Sequence, residues 1–324
     1  MSAPAGSARL ASRRSAYALL VGLALLWGFH WVVVKVGLQA MPPFTYATLR
    51  VAAAIITLAV ILAGRRELRR PARADLPIVV SVGLGQIAAT IVAMNLALQV
   101  VPAGRSSVLG YTMPLWVALI LVVIFRTRLR RAELVGLVVG LAGIGILLNP
   151  SAIDWGSAGQ LAGSGGLLVG AVLWAVATIH VRSHRWHGTP FALTIWELLV
   201  ALVPLGCLAL VLEPGLPVRW EPRTVLILVY SGPLASAFAF WASQVIARTL
   251  GPLATTIGYL AVPVVGLVCG AIVLGEPVAP IDVAGFALTL GGVAVMARST
   301  SAASPPSRAG STASTASTAV GDVH

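Results

Sequence analysis

The stretch SSVLGYTMPLWVALILVV, residues 106–123, returns as TTIGYLAVPVVGLVCGAI at 255–272. A shift of 149 residues lays Pro114 on Pro263 and Ser106-Ser107 on Thr255-Thr256. It also lays Glu133 on Asp282, Gly136 on Gly285 and Gly143 on Gly292. Nearer the N-terminus a shift of 147 carries Trp27 onto Trp174, Lys35 onto Arg182 and Arg50 onto Glu197. The chain reads as two copies of one apolar unit with five hydrophobic runs each. An odd number of crossings per copy forces the second copy into the bilayer upside down. The expected fold is an all-α polytopic membrane protein, ten transmembrane helices in two inverted five-helix repeats. Inverted repeats around a central site are the usual plan of an alternating-access carrier.

Composition agrees. The 324 residues are 58% hydrophobic and 10% charged, against roughly 25% charged in a soluble domain. The runs fall at 16–37, 44–63, 76–98, 103–125, 132–149, 162–182, 190–212, 224–246, 252–274 and 280–297. Crossing hydrocarbon takes about 20 residues, and helices satisfy their own backbone groups there. The expected segments are 1–15 as a cytoplasmic N-terminal stretch, 16–149 and 150–298 as the repeats, and 299–324 as a disordered Ser/Ala/Thr-rich tail. That tail carries STASTASTA and reads as a spacer or a regulatory segment. Arg9, Arg13 and Arg14 before the run Tyr17–Val34 mimic a signal peptide. The run exceeds a signal core of about 7–15 residues, so it is expected to stay as the first span.

The net charge of +12 sits in short clusters between apolar runs, leaving no folded basic face for nucleic acid. Those clusters set the orientation. With the N-terminus inside, the inner segments hold Arg9, Arg13, Arg14, Arg65, Arg66, Arg69, Arg70, Arg73, Arg126, Arg128, Arg130, Arg131, Arg182, Arg185, Arg248, Arg298 and Arg308. The outer ones hold Arg105, Arg219 and Arg223. Both termini are therefore expected in the cytoplasm of a bacterial-type inner membrane. Cys207 and Cys269 lie inside apolar runs, outside any metal or redox spacing, and read as small buried hydrophobes.

Ionisable groups within spans are costly and mark function by default. They are His30, Lys35, Arg50, His180, Arg182 and Glu197. Arg50 lies roughly 9 Å into the second span. With no carboxylate at similar depth in the first repeat, Lys35 and Arg50 suit a substrate carboxylate or phosphate, or else they snorkel to headgroups. Glu197 occupies the inverted place of Arg50 and reads as an inner-side partner of Arg182 or His180, or as a proton or amine site. His30 is either a switchable group or a hydrogen bond between helices. Trp27 and Trp31 share one helix face, suited to stacking on a substrate or to packing. Pro114 and Pro263 each remove a backbone bond near midplane, where broken helices line cavities. Tyr111, Thr112, Thr255 and Tyr259 precede them. Gln86, Thr90, Trp174, Thr178, Ser231, Ser236 and Trp241 add polar or aromatic groups at useful depth. Gly136, Gly140, Gly143, Gly285, Gly291 and Gly292 give small faces for packing between repeats, or between subunits of a homodimer. His184 and His187 lie in an inner loop without the acidic or cysteine partners a metal site wants. Gly165-Gly166 opens a span and makes no phosphate loop. No enzyme motif, cofactor or metal is expected.

The ordered set resembles the EamA-like ten-helix branch of the drug/metabolite transporter superfamily. The matching residues are Trp27-Gly28, Lys35, Pro42, Arg50, Pro114, Pro263, Gly275-Glu276 and the glycines of the fifth and tenth spans. The resemblance implies an inner-membrane carrier whose cavity is formed by spans 1, 3, 4, 6, 8 and 9. Family members export amino acids and related metabolites, and others carry nucleotide sugars or drugs. Arg126-Thr127 stands where a first-repeat Gly-Glu would match Gly275-Glu276, which argues against paired gating glutamates. Span 1 lacks the membrane glutamate of the four-helix drug exporters. The expected function is export of amino acids or related small metabolites from a midplane cavity. That cavity is placed at Trp27, His30, Trp31, Gln86, Thr90, Tyr111, Thr112, Trp174, Thr178, Trp241 and Tyr259. The alternatives are an importer and a non-transporting sensor or scaffold.

Overall fold

The computed structural model describes residues 13–148, 158–250 and 258–301. Arg9, Arg308, Thr255, Thr256, the boundary at 149/150, the tail beyond 301 and the side chains of Arg182 and Arg248 lie outside the described residues. Among the described residues every regular element is helical. The helices are α1 (Arg13–Gly37), α2 (Pro43–Gly64), α3 (Arg73–Ala97), α4 (Ala103–Val123) and α5 (Arg131–Leu147). They continue with α6 (Ala158–Ser183), α7 (Pro190–Leu212), α8 (222–249), α9 (Ala261–Leu274) and α10 (Pro280–Ser301). Eight are long and apolar enough to cross a membrane, while α5 has 17 described residues and α9 has 14. Leu210, Ile272 and Val60 are 79%, 78% and 69% exposed. Such outward apolar surface suits lipid and not water.

Local chemistry explains the helix starts. Prolines stand at the first positions of α2, α7 and α8, where a missing N–H costs nothing. Glu213, just past α7, accepts the backbone N–H of Phe44 and Thr45 at 2.9 and 2.7 Å and so caps α2. Asp75 accepts N–H groups of His187 and Gly188 just ahead of α7. Each half thus supplies a carboxylate to the start of the second helix of the other.

The packing repeats with the halves exchanged. Helix α1 lies on α9 as α6 lies on α4, and α2 lies on α8 as α7 lies on α3. Helices α5 and α10 meet through glycines: Gly136 faces Gly292, and Gly143 faces Gly285 and Thr289. The pair therefore runs antiparallel, its backbones in contact. Gly140 lies under Gly292 and on its other side receives the Leu115 side chain, and Gly291 meets nothing within 4 Å. Most of this small face is thus used inside one chain. Helix α4 is interrupted at Tyr111-Thr112, just before Pro114, and a turn at Leu260 precedes Pro263 in the same way.

One departure in sequence leaves a trace in the backbone. Gly275 ends α9 in the left-handed conformation, φ 65, and Arg126 takes φ 52 at the equivalent place after α4. An L-residue there costs about 1–2 kcal/mol. Arg126→Gly is expected to raise stability by about 1 kcal/mol, measured as a higher melting temperature of the purified protein. In the same assay Gly292→Leu should lower stability by about 1–3 kcal/mol, since any side chain there meets the Gly136 and Gly140 backbone. Gly291→Leu should leave it unchanged, because that position is open.

Candidate functional site

The centre of the bundle holds a polar cluster between α1, α2 and α8. Helix α8 widens into a π-helix over Tyr230–Phe238, where Pro233 has no N–H to continue the regular ladder. Ser236 Oγ donates to the Ser231 carbonyl at 2.8 Å and fills part of the gap. Gly232 lets this widened turn press on α2: a Cβ there would stand 2.9 Å from the Arg50 carbonyl. Helix α3 carries the matching π-turn over Val82–Ala88. Its Gly83 presses on α7, with a Cβ position 2.7 Å from the Glu197 carbonyl. Arg50 and Glu197 thus sit at equivalent places beside equivalent helix defects, as the 147-residue shift predicts.

Around the α8 defect, Tyr46 OH meets Ser231 Oγ at 2.6 Å, and the Tyr230 hydroxyl donates to the Leu26 carbonyl at 2.6 Å. His30 stacks on Tyr230, ring centroids 5.9 Å apart. Arg50 Nε reaches Ser236 Oγ at 3.4 Å. Arg50 Nη1 and both ring nitrogens of His30 are buried without a hydrogen-bond partner. Unmet donors of a cation in a low-dielectric interior favour an anion strongly. Trp27 borders the cluster, giving its indole N–H to the Ala235 carbonyl at 3.0 Å and meeting Tyr259 edge-on at 5.6 Å. Trp241 lies against Phe238 on the same helix.

The other predicted residues are dispersed. Trp31 is buried with its ring against Gly110, beside the α4 break. Thr112 donates to the Leu109 carbonyl at 2.6 Å and accepts from Trp116, so its hydroxyl serves the break itself. Gln86, Thr90, Trp174 and Thr178 are half-buried on α3 and α6, which pack together.

The charge network differs from expectation in two ways, at Lys35 and at the His184–His187 loop. Lys35 is no free cation. Its Nζ binds Glu276 at 2.6 Å and the Val101 carbonyl at 3.2 Å. Glu276 also accepts the N–H groups of Ala103 and Gly104 and caps α4. The carboxylate missing from the first repeat comes from the second, which a reading within one repeat does not find. Glu197 is buried and makes no ion pair with His180 among the described residues, His180 turning its ring to His184, while the side chain of its other expected partner, Arg182, lies outside the described residues. His184 and His187 do have an acidic partner, Asp75, brought 109 and 112 residues along the chain. Arg105 and Asp282 form a further pair at 2.8 Å near Glu276, lining a cavity of about 350 Å³ with Gln160, Leu267 and Phe286.

Sequence alone does not mark Tyr46 and Tyr230 as part of this cluster. The available signal was spacing, since Tyr46 lies one turn before Arg50 on the same helix face.

Apolar helices broken or widened at mid-length around buried polar side chains are the build of a membrane transporter. The chain belongs to the EamA-like transporter family, whose model matches residues 14–149 and again 161–298. It is 26% identical to the "Uncharacterized transporter YoaV" of Bacillus subtilis (strain 168), over 80% of this chain and 88% of that one. It is 26% identical to a "Probable amino-acid metabolite efflux pump" of Salmonella typhimurium, over 87% and 94% of the two chains. It is 28% identical to a "Probable terminal-alkyne amino-acid exporter" of Streptantibioticus cattleyicolor, over 87% and 93%. A crystal structure superposes with a TM-score of 0.62 at 22% identity, covering 90% of this chain and 100% of the other, and shares its fold.

The Lys35–Glu276 pair is testable by a double-mutant cycle in thermal denaturation. Glu276→Ala should destabilise more than Lys35→Met, because it also uncaps α4. The double variant should cost less than the sum by about 0.5–3 kcal/mol; strictly additive losses would show that the pair contributes nothing.

Proposed function

We propose that this protein is an alternating-access carrier that exports amino acids or related small metabolites across an inner membrane, with both termini in the cytoplasm. The observation that carries the reading is the buried, unmet Nη1 of Arg50 beside His30 and the α8 defect. A substrate carboxylate would accept from Arg50 and His30, while Trp27 and Tyr259 would pack on its side chain. The named roles of the Salmonella and Streptantibioticus relatives favour the same substrate class and direction.

The antiparallel α5–α10 pair, the exchanged helix contacts and the twofold family match support ten spans in two inverted repeats, 16–149 and 150–298. In this reading Lys35–Glu276 and Arg105–Asp282 latch α1, α4, α9 and α10 together on the outer side. Transport would require that latch to open as the inner end closes. Arg126-Thr127 supplies no carboxylate for an equivalent inner latch, so the two ends would open against different forces.

The test compares extracellular metabolites of cells making the intact protein and an Arg50→Gln variant at equal membrane abundance. Accumulation of an amino acid or relative is expected with the intact protein only, falling about tenfold or more in the variant, the scale of one charge-assisted hydrogen bond. Arg50→Lys should retain part of the activity, since it keeps the charge and loses the fork. Equal export by Arg50→Gln would remove the carboxylate site. No export by the intact protein would favour uptake or a non-transporting role.

A further inference from the structure

The group Asp75, His184 and His187 lies apart from the central cluster, on the arginine-rich face. Asp75 is fully buried at the entry to α3, while the two histidines belong to the connection between α6 and α7. Their donor atoms all lie within 4.8 Å of one another. His184 Nε2 stands 2.8 Å from Asp75 Oδ1, and His187 Nδ1 stands 3.3 Å from the same oxygen.

The backbone alone accounts for the structural role of Asp75. Its Oδ2 accepts from Gly188 N–H at 2.9 Å, and Oδ1 accepts from His187 N–H at 3.2 Å. Two imidazoles converge on Oδ1 in addition, which crowds three donors onto one oxygen. Zinc held by imidazole and carboxylate at about 2.0–2.1 Å puts tetrahedral donors roughly 3.3 Å apart. The His187–Asp75 spacing already has that value, and the His184–Asp75 spacing falls short by about half an ångström. Ring packing orients His184, edge-on to Trp186 at 5.3 Å and to His180 at 6.1 Å. The His187 side chain is 55% exposed, leaving a way in for an ion and a place for a water ligand. Two nitrogens and one oxygen are a borderline donor set that suits zinc better than magnesium or calcium.

We propose that Asp75, His184 and His187 form a divalent transition-metal site, of the zinc type, joining the entry of α3 to the connection ahead of α7. A bound ion fastens the first half of the chain to the second. It does so on the face where Arg126-Thr127 offers no carboxylate latch.

The test uses the full-length protein in detergent, stripped with a chelator and titrated with Zn²⁺ against a chromogenic competitor. One Zn²⁺ per chain is expected, together with a rise in melting temperature. His187→Ala, at an exposed side chain, should melt like the parent without zinc and bind it about tenfold or more weakly. The double variant His184→Gln/His187→Ala should lose both the binding and the rise. No binding by the parent would overturn the site. So would unchanged affinity in the double variant, which would place the ion elsewhere. None of these readouts depends on transport.

Discussion

Hydrocarbon offers no partner to a backbone N–H or C=O, so every departure from a regular helix inside the bundle must be met by the chain itself. The structure shows how this is done at the breaks of α8 and α4. Where α8 widens, Ser236 answers the Ser231 carbonyl. Where α4 stops before Pro114, Thr112 answers Leu109. Ser107, one turn earlier, donates to the Gly104 carbonyl and reaches the Pro263 carbonyl of α9 at 3.3 Å, so one hydroxyl serves both halves. Small hydroxyls near prolines keep broken helices stable enough to surround a polar centre.

The same constraint governs the helix ends. The first N–H groups of a helix have no internal acceptor and carry partial positive charge. Glu213 meets those of α2 and Glu276 those of α4. Asp75 holds the turn ahead of α7. In each case the acid comes from the opposite half. Capping and the union of the halves are therefore one set of interactions. The chain has only 10 acidic residues, and three of them are used in this way.

Symmetry of backbone coexists with asymmetry of charge. The defects of α3 and α8 correspond, and each presses a glycine on the helix bearing Glu197 or Arg50. The side chains at those two places carry opposite signs, so the equivalent sites cannot receive the same ligand group. The αL turns after α4 and α9 also correspond, yet one ends in Arg126-Thr127 and the other in Gly275-Glu276. Only the second places a carboxylate over a helix start.

By itself the sequence determined the membrane class, the duplication and the breaks ahead of Pro114 and Pro263, but not the widened turns of α3 and α8. Length, apolar composition and proline are local properties that act within about 20 residues. It also marked Arg50 and His30, because an ionisable group inside an apolar span is costly wherever it occurs, and Trp27, because it shares a helix face with Trp31. Only the tertiary structure decided the partners. Lys35 meets Glu276 across 241 residues, Asp75 meets His184 across 109, and Arg50 is left with an unmet nitrogen. A partner depends on which helices become neighbours and how deeply each side chain lies. Those are set by glycine contacts between halves, and no spacing along the chain records them.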